Sequence, residues 1–346
     1  MHHVSHDFNP NWINAFVRLF ERCKISNTET IVVLTETATR PDLIALTDTA
    51  MTLLGHAPVR LHLPRPVDPG GPLIRSSGAS QILTAHPLAI ASCKAADIVI
   101  DLTAEGLMHA PETPEILAAK TRIQNISQEH PEVLARLAPD DAIHEATRAA
   151  VKLARAATTM SVTSPAGTDL TVTMTDAQTV GVWGWTDKPG TLAHWPGGLV
   201  VSFPKAGSVN GHLVFQPGDV NLSFKRYFDS EVQARVEDDH IVEIGGSGTD
   251  AALMYRYLAD FGERAAYATS HVGWGLNPAA RLEALSLYDK ADTNGTEIRA
   301  VAGNFLYSTG ANEFAGRFTR GHFDLPMMGC TIALDGTPVV IDGHLA

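Results

Sequence analysis

Thr30-Ile31-Val32-Val33-Leu34 (TIVVL) is an unbroken apolar run rich in β-branched residues, and such runs form strands that are covered on both faces. Downstream, Pro41 opens a predicted helix with an apolar stripe of Leu43, Ile44, Ala50, Met51 and Leu54, and Gly55 ends it. Val59 to Leu63 (VRLHL) alternates as a strand. After an Ala-rich helical segment, Asp97 to Leu102 (DIVIDL) repeats the buried-strand pattern. Strand, helix, strand, helix, strand predicts an α/β unit built on an open, mostly parallel sheet. Asp140 to Ala157 reads as one long helix, acidic at its start and with Lys152 and Arg155 near its end, as the helix dipole favours. That helix closes a first domain over residues 1–155.

The composition then shifts toward Thr, Val and Gly. Met160 to Asp176 (MSVTSPAGTDLTVTMTD) reads as two strands joined by a Pro-Gly turn. Further strands are predicted at 199–203, 213–215, 232–236 and 240–244, with helices near 249–261 and 278–288. This is an α+β pattern, and it predicts a mixed-sheet second domain over residues 156–346.

The chain has 346 residues and a net charge of −12, with 45% hydrophobic and 18% charged residues. The charged share is below the roughly 25% of ordinary soluble domains, which excludes disorder and favours a homo-oligomer. An acidic chain with no block of Lys and Arg is a poor partner for nucleic acid. Cys23, Cys93 and Cys330 are widely spaced and form no C-x-x-C pair, so a reducing compartment is expected. Met1 to Trp12 is polar, and no stretch approaches 18 continuous apolar residues. The expectation is a cytoplasmic chain without a membrane span. His2, His3 and His6 are set aside as part of a mobile terminus.

Gly246-Ser247-Gly248 with Ala251 matches G-x-G-x-x-A, but it lies among strands that look antiparallel, and a dinucleotide fingerprint needs a βαβ unit around it. There is no glycine between Thr30 and Thr39, and no Walker A, H-E-x-x-H, G-x-S-x-G or EF-hand pattern. What remains is Arg320-Gly321-His322-Phe323-Asp324-Leu325-Pro326. In extended backbone His322 and Asp324 project to one face, where an imidazole and a carboxylate could grip one cation. The best third ligand is His271, in Ser270-His271-Val272-Gly273-Trp274-Gly275-Leu276-Asn277-Pro278. Two histidines and one carboxylate leave open positions on a metal, as in non-haem Fe(II) enzymes. Spacing alone also allows a plain alternative, in which His322 merely hydrogen-bonds Asp324 and His271 is a core histidine.

Four stretches carry a resemblance: GTDLTVTM at 167–174, EIGGSGTDA at 243–251, HVGWGLNP at 271–278 and GHFDLPMMGCTIALDG at 321–336. They are similar to the 2,5-dihydroxypyridine 5,6-dioxygenases, a family related to thermophilic metal-dependent aminopeptidases. The resemblance implies an Fe(II) ion on His271, His322 and Asp324, with O2 and a small hydroxypyridine as substrates. Mn(II) favours similar ligands. It also implies ring opening between C5 and C6 to N-formylmaleamate in nicotinic acid and nicotine breakdown. The peptidase relatives hold two metals with additional carboxylates, whereas no Glu occurs from Tyr267 to Arg281.

A hydroxypyridine must lose a proton to react, so a base is expected within hydrogen-bond reach. His194, in a Gly-, Pro- and Trp-rich segment read as a loop, and His109, after the strand ending at Leu102, are the candidates. The family loop can carry a further histidine, and Gly197 stands at that position here. Trp183, Trp185 and Trp195 could stack on a flat ring, although packing is the commoner role for them. Arg299 and Arg320 could bind a carboxylate or ring oxygen or sit in surface ion pairs. Glu105 and His109 could pair if their segment is helical. The rival functions are a metal-dependent aminopeptidase and a non-catalytic metal- or ligand-binding protein.

Overall fold

The computed structural model describes residues 8–65 and 78–346, so His2, His3 and His6 lie outside the described residues. The TIVVL run forms the strand Ile31–Glu36, buried at every position. Its sheet runs Val59–Leu63, Ile31–Glu36, Ile98–Asp101, Arg122–Ile126, Leu192–Trp195, and every neighbouring pair is parallel. The helices Pro10–Arg22 and Pro41–Leu53 pack on one face, where Phe16, Leu19, Leu43 and Leu46 are fully buried. The sheet's last strand comes from the second half of the chain.

The second half also forms two antiparallel sheets of five or more strands. One is eight-stranded, running from His240–Gly245 at one edge through Asp169–Thr173 and Thr159–Thr163 to His344–Leu345 at the other. The other is five-stranded, in the order Arg317–Met327, Phe305–Asn312, Thr269–Gly275, Leu199–Phe203, Gln178–Val182. Their shared core includes Val162, Phe215, Trp274, Tyr307 and Phe323. The predicted hairpin at 160–176 is the pair Thr159–Thr163 and Asp169–Thr173. The long helix is Asp141–Ala156. It lies close on the Gln178–Val182 strand because Gly181 has no side chain: a Cβ there would fall 2.7 Å from methyl carbons of Thr147 and Val151.

The helix expected near 278–288 is only the single turn Ala284–Leu287, since the Asn277-Pro278 start is drawn into a turn in which the Asn277 side chain accepts from the Ala279 N–H. The 246–251 glycines form the turn into the helix Thr249–Asp260 between antiparallel strands, as the failed fingerprint requires.

Candidate functional site

Strand register builds half of the site. His271 lies opposite Ser308, and Ser308 lies opposite Asp324, in three adjacent antiparallel strands. Residues paired in this way project from one face, and His322 shares that face because it is two residues from Asp324. All four are buried. Asp324 Oδ1 accepts a hydrogen bond from Ser308 Oγ and lies 3.2 Å from His322 Nε2 and 3.8 Å from His271 Nε2. Its other oxygen, Oδ2, accepts from Arg299 Nε at 2.5 Å. One carboxylate oxygen is thus held outward by a guanidinium while the other faces two imidazoles.

The parallel sheet supplies the opposing wall, from the carboxyl ends of its strands, where open α/β sheets bind ligands. Beyond Ile98–Asp101 the buried Asp101 carboxylate accepts from the Thr103 and Leu107 backbone N–H groups and from Asn125, which shapes the turn that leads to His109. The ring of His109 is 5.5 Å from that of His322 between centroids, and its Nδ1 lies 3.5 Å from Glu313 Oε1. The ligand atoms of His109, His271 and His322 all lie within 4.8 Å of one another. His194 stands near the end of the strand Leu192–Trp195, opposite Asn125. Its Nδ1 lies 3.1 Å from the Pro196 carbonyl oxygen, which can only accept. Nδ1 therefore carries the proton, and Nε2 keeps its lone pair.

Burial governs the electrostatics. It pushes the imidazole of His271 down to about 3 against the pull of Asp324. Burial, followed by the Arg299 charge, pushes His194 down to about 4. For Asp324 burial acts upward, but Arg299 and the neighbouring histidines hold the carboxyl well below its usual range. At neutral pH His271 and His194 are therefore neutral imidazoles and Asp324 is an ionised carboxylate. This donor set, two imidazole nitrogens and one anionic oxygen from His271, His322 and Asp324, fits a divalent first-row metal. The His271 Nδ1 atom is buried without a hydrogen-bond partner, and the ring lies between the edge-on ring of Phe203, 5.2 Å away between centroids, and that of His322, 5.7 Å away.

The structure corrects several expectations. His194 is on a strand and not in a loop, because the Gly- and Pro-rich residues flank LAHW rather than interrupt it. The 103–109 segment is not helical, so the condition set for an i,i+4 pairing of Glu105 with His109 is not met, and His109 faces Glu313. Trp195 is fully buried, donates to the Leu137 carbonyl at 2.7 Å and meets Phe16 edge-on. Trp183 and Trp185 pack on His144. Trp185 and Trp195 are core residues, and Trp183 is half-buried beside them. Arg299, left open from sequence, is the buried partner of Asp324. Ser308 and Glu313 carried no sequence signal; for Ser308 only the strand register could have found it.

The family model of 2,5-dihydroxypyridine 5,6-dioxygenase (NicX) matches residues 11–346. A 2,5-dihydroxypyridine 5,6-dioxygenase of Pseudomonas putida strain KT2440 is 37% identical over 265 residues, 76% of this chain and 75% of that protein. The solved structure of the 2,5-dihydroxypyridine dioxygenase from Pseudomonas putida KT2440 superposes with a TM-score of 0.92 at 32% identity, covering 98% of both chains. AmpT from Thermus thermophilus shares the fold, with a TM-score of 0.66 at 13% identity over 97% of this chain and 99% of that one. By its match along nearly the whole chain, and by the fold it shares with the solved dioxygenase, the protein belongs to the 2,5-dihydroxypyridine 5,6-dioxygenase family.

Proposed function

We propose that this protein opens the ring of 2,5-dihydroxypyridine with O2 between C5 and C6, giving N-formylmaleamate, with Fe(II) held by His271, His322 and Asp324. Both oxygen atoms enter the product, so no external reductant is required. The observation that carries this reading is the approach of two imidazole Nε2 atoms, at 3.2 and 3.8 Å, to one oxygen of a buried, ionised carboxylate, in a chain of this family. When bound, Fe(II) supplies the one-electron chemistry that ground-state O2 requires and that side chains lack.

The chain's own residues do the rest. Arg299 and Ser308 hold Asp324 in one orientation and keep it ionised. His194 Nε2, the free lone pair of a ring fixed through Nδ1, accepts the proton of a ring hydroxyl. His109, beside Glu313, encloses the substrate from the parallel-sheet side and can orient a second polar atom of the ring. The reaction belongs to bacterial breakdown of nicotinic acid and nicotine, carried out in the cytoplasm by a homo-oligomer. No helix among the described residues is long and apolar enough to cross a membrane.

The test is to load the protein with Fe(II) in the absence of oxygen, add 2,5-dihydroxypyridine, admit air, and record O2 uptake together with loss of ring absorbance. One O2 consumed per ring lost, abolished in His322→Ala, is the expected result. Turnover by His322→Ala at the parent's rate, or release of amino acids from small peptides without O2 uptake, overturns it.

A further inference from the structure

Glu129 lies just beyond the strand Arg122–Ile126 in the first half of the chain and is buried, with 1% of its surface exposed. Its carboxylate points into the second half. Oε1 accepts from the Gly295 N–H at 2.8 Å and the Thr296 N–H at 2.7 Å, and Oε2 accepts from the Asn294 N–H at 3.1 Å. Two residues earlier, Ser127 accepts from the Thr296 hydroxyl at 2.9 Å, and its own N–H donates to the Trp195 carbonyl at 3.0 Å.

The segment gripped in this way is the one that carries Arg299. The Arg299 N–H donates to the Gly295 carbonyl at 3.2 Å, its Nη1 donates to Asn294 Oδ1 at 3.3 Å, and its Nε reaches Asp324. An unbroken series of hydrogen bonds therefore runs from Glu129 through residues 294–296 and Arg299 to the carboxylate of the site. Gly295 sits at φ +98°, a conformation that favours glycine and lets successive N–H groups converge on one acceptor.

We propose that Glu129 is a positioning residue, through which the parallel sheet sets the direction of Arg299 and hence the orientation of Asp324 toward the metal. The same end of the Arg122–Ile126 strand pairs with the strand of His194, so one element of the first half aligns both the base and the metal carboxylate. This inference rests on the metal-site reading above. It goes beyond that reading by assigning control of the site to a buried acid that touches neither metal nor substrate. Groups behind metal ligands commonly change ion affinity by about 10- to 100-fold when removed.

The test is a double-mutant cycle on ion affinity, read by calorimetric titration of Mn(II) into the full-length, chelator-treated protein. Glu129→Gln and Arg299→Lys are each expected to weaken Mn(II) about tenfold, and the double variant no more than the weaker-binding single one, because both break the same series of contacts. A merely structural acid gives losses that multiply. Unchanged affinity in Glu129→Gln, or multiplying losses, overturns the proposal. If Glu129→Gln does not fold, Glu129→Asp, which keeps the carboxyl group and withdraws it by one methylene, takes its place in the cycle with the same expected result. His322→Ala is the control: if it binds Mn(II) as tightly as the parent, the metal-site reading itself falls and this inference with it.

Discussion

Arg299 Nε donates to Asp324 Oδ2 at 2.5 Å with both side chains buried, and this pair leaves the other carboxylate oxygen directed at His271 and His322. Removing one partner of a buried pair leaves an uncompensated charge, which costs about 3–5 kcal/mol. Arg299→Ala is therefore expected to lose about that much stability in urea unfolding with chelator present. A divalent cation replaces the missing positive charge, so adding Mn(II) should return part of the loss. A variant as stable as the parent under chelator would show that the pair is not the compensating contact.

His194 makes the stability of the ion-free protein depend on pH. Its folded-state value of about 4 lies below the ordinary histidine value of 6.5, so between these the unfolded chain binds more protons than the native one. Stability is then fully present above about pH 6.5 and is lost as pH falls toward 4. At about 1.4 kcal/mol per pH unit the His194 share is on the order of 3 kcal/mol. Unfolding curves at pH 7 and pH 4.5 should differ less in His194→Gln than in the parent. An equal difference in both would mean that the ring is not buried neutral.

The three cysteines are inert in the native state. Cys23, Cys93 and Cys330 are buried, and burial pushes each thiol up to about 12. Since the thiolate is the reacting form, a chromogenic disulfide reagent at pH 8 should titrate none of them within minutes. In guanidinium it should titrate all three. Rapid reaction of any one in the folded protein contradicts this placement.

Gly181 holds the Asp141–Ala156 helix against its sheet. A methyl group there would lie 2.7 Å from carbons of Thr147 and Val151, and overpacking of this kind costs about 1–3 kcal/mol. Gly181→Ala should lower the melting temperature by several degrees while leaving Mn(II) affinity unchanged, because Gly181 touches none of the proposed ligands. A variant with the parent's melting temperature would show that the helix can shift without cost.

Much of the fold was legible because its signals are local. The TIVVL and DIVIDL runs became central strands of the parallel sheet, the 160–176 hairpin formed, and the acidic-to-basic polarity of the 140–157 segment marked a real helix. The helix expected at 278–288 shrank to one turn, since the side chain of Asn277 offered its backbone an alternative partner. His194 reads from sequence as a loop residue, since a four-residue strand between glycines and prolines is too short for a periodic signal.

By itself the amino-acid sequence determined the alternation of elements and one face of the site: a period of two residues places His322 beside Asp324 in any extended backbone, and flanking glycines drew attention to His271. Only the tertiary structure decided that Arg299 grips Asp324, that Ser308 stands between it and His271, and that Glu129 reaches 167 positions along the chain to the N–H of Thr296. The physical reason is that strand register and buried charge pairing are settled by contacts between distant segments. Such contacts leave no periodicity in the residues around them.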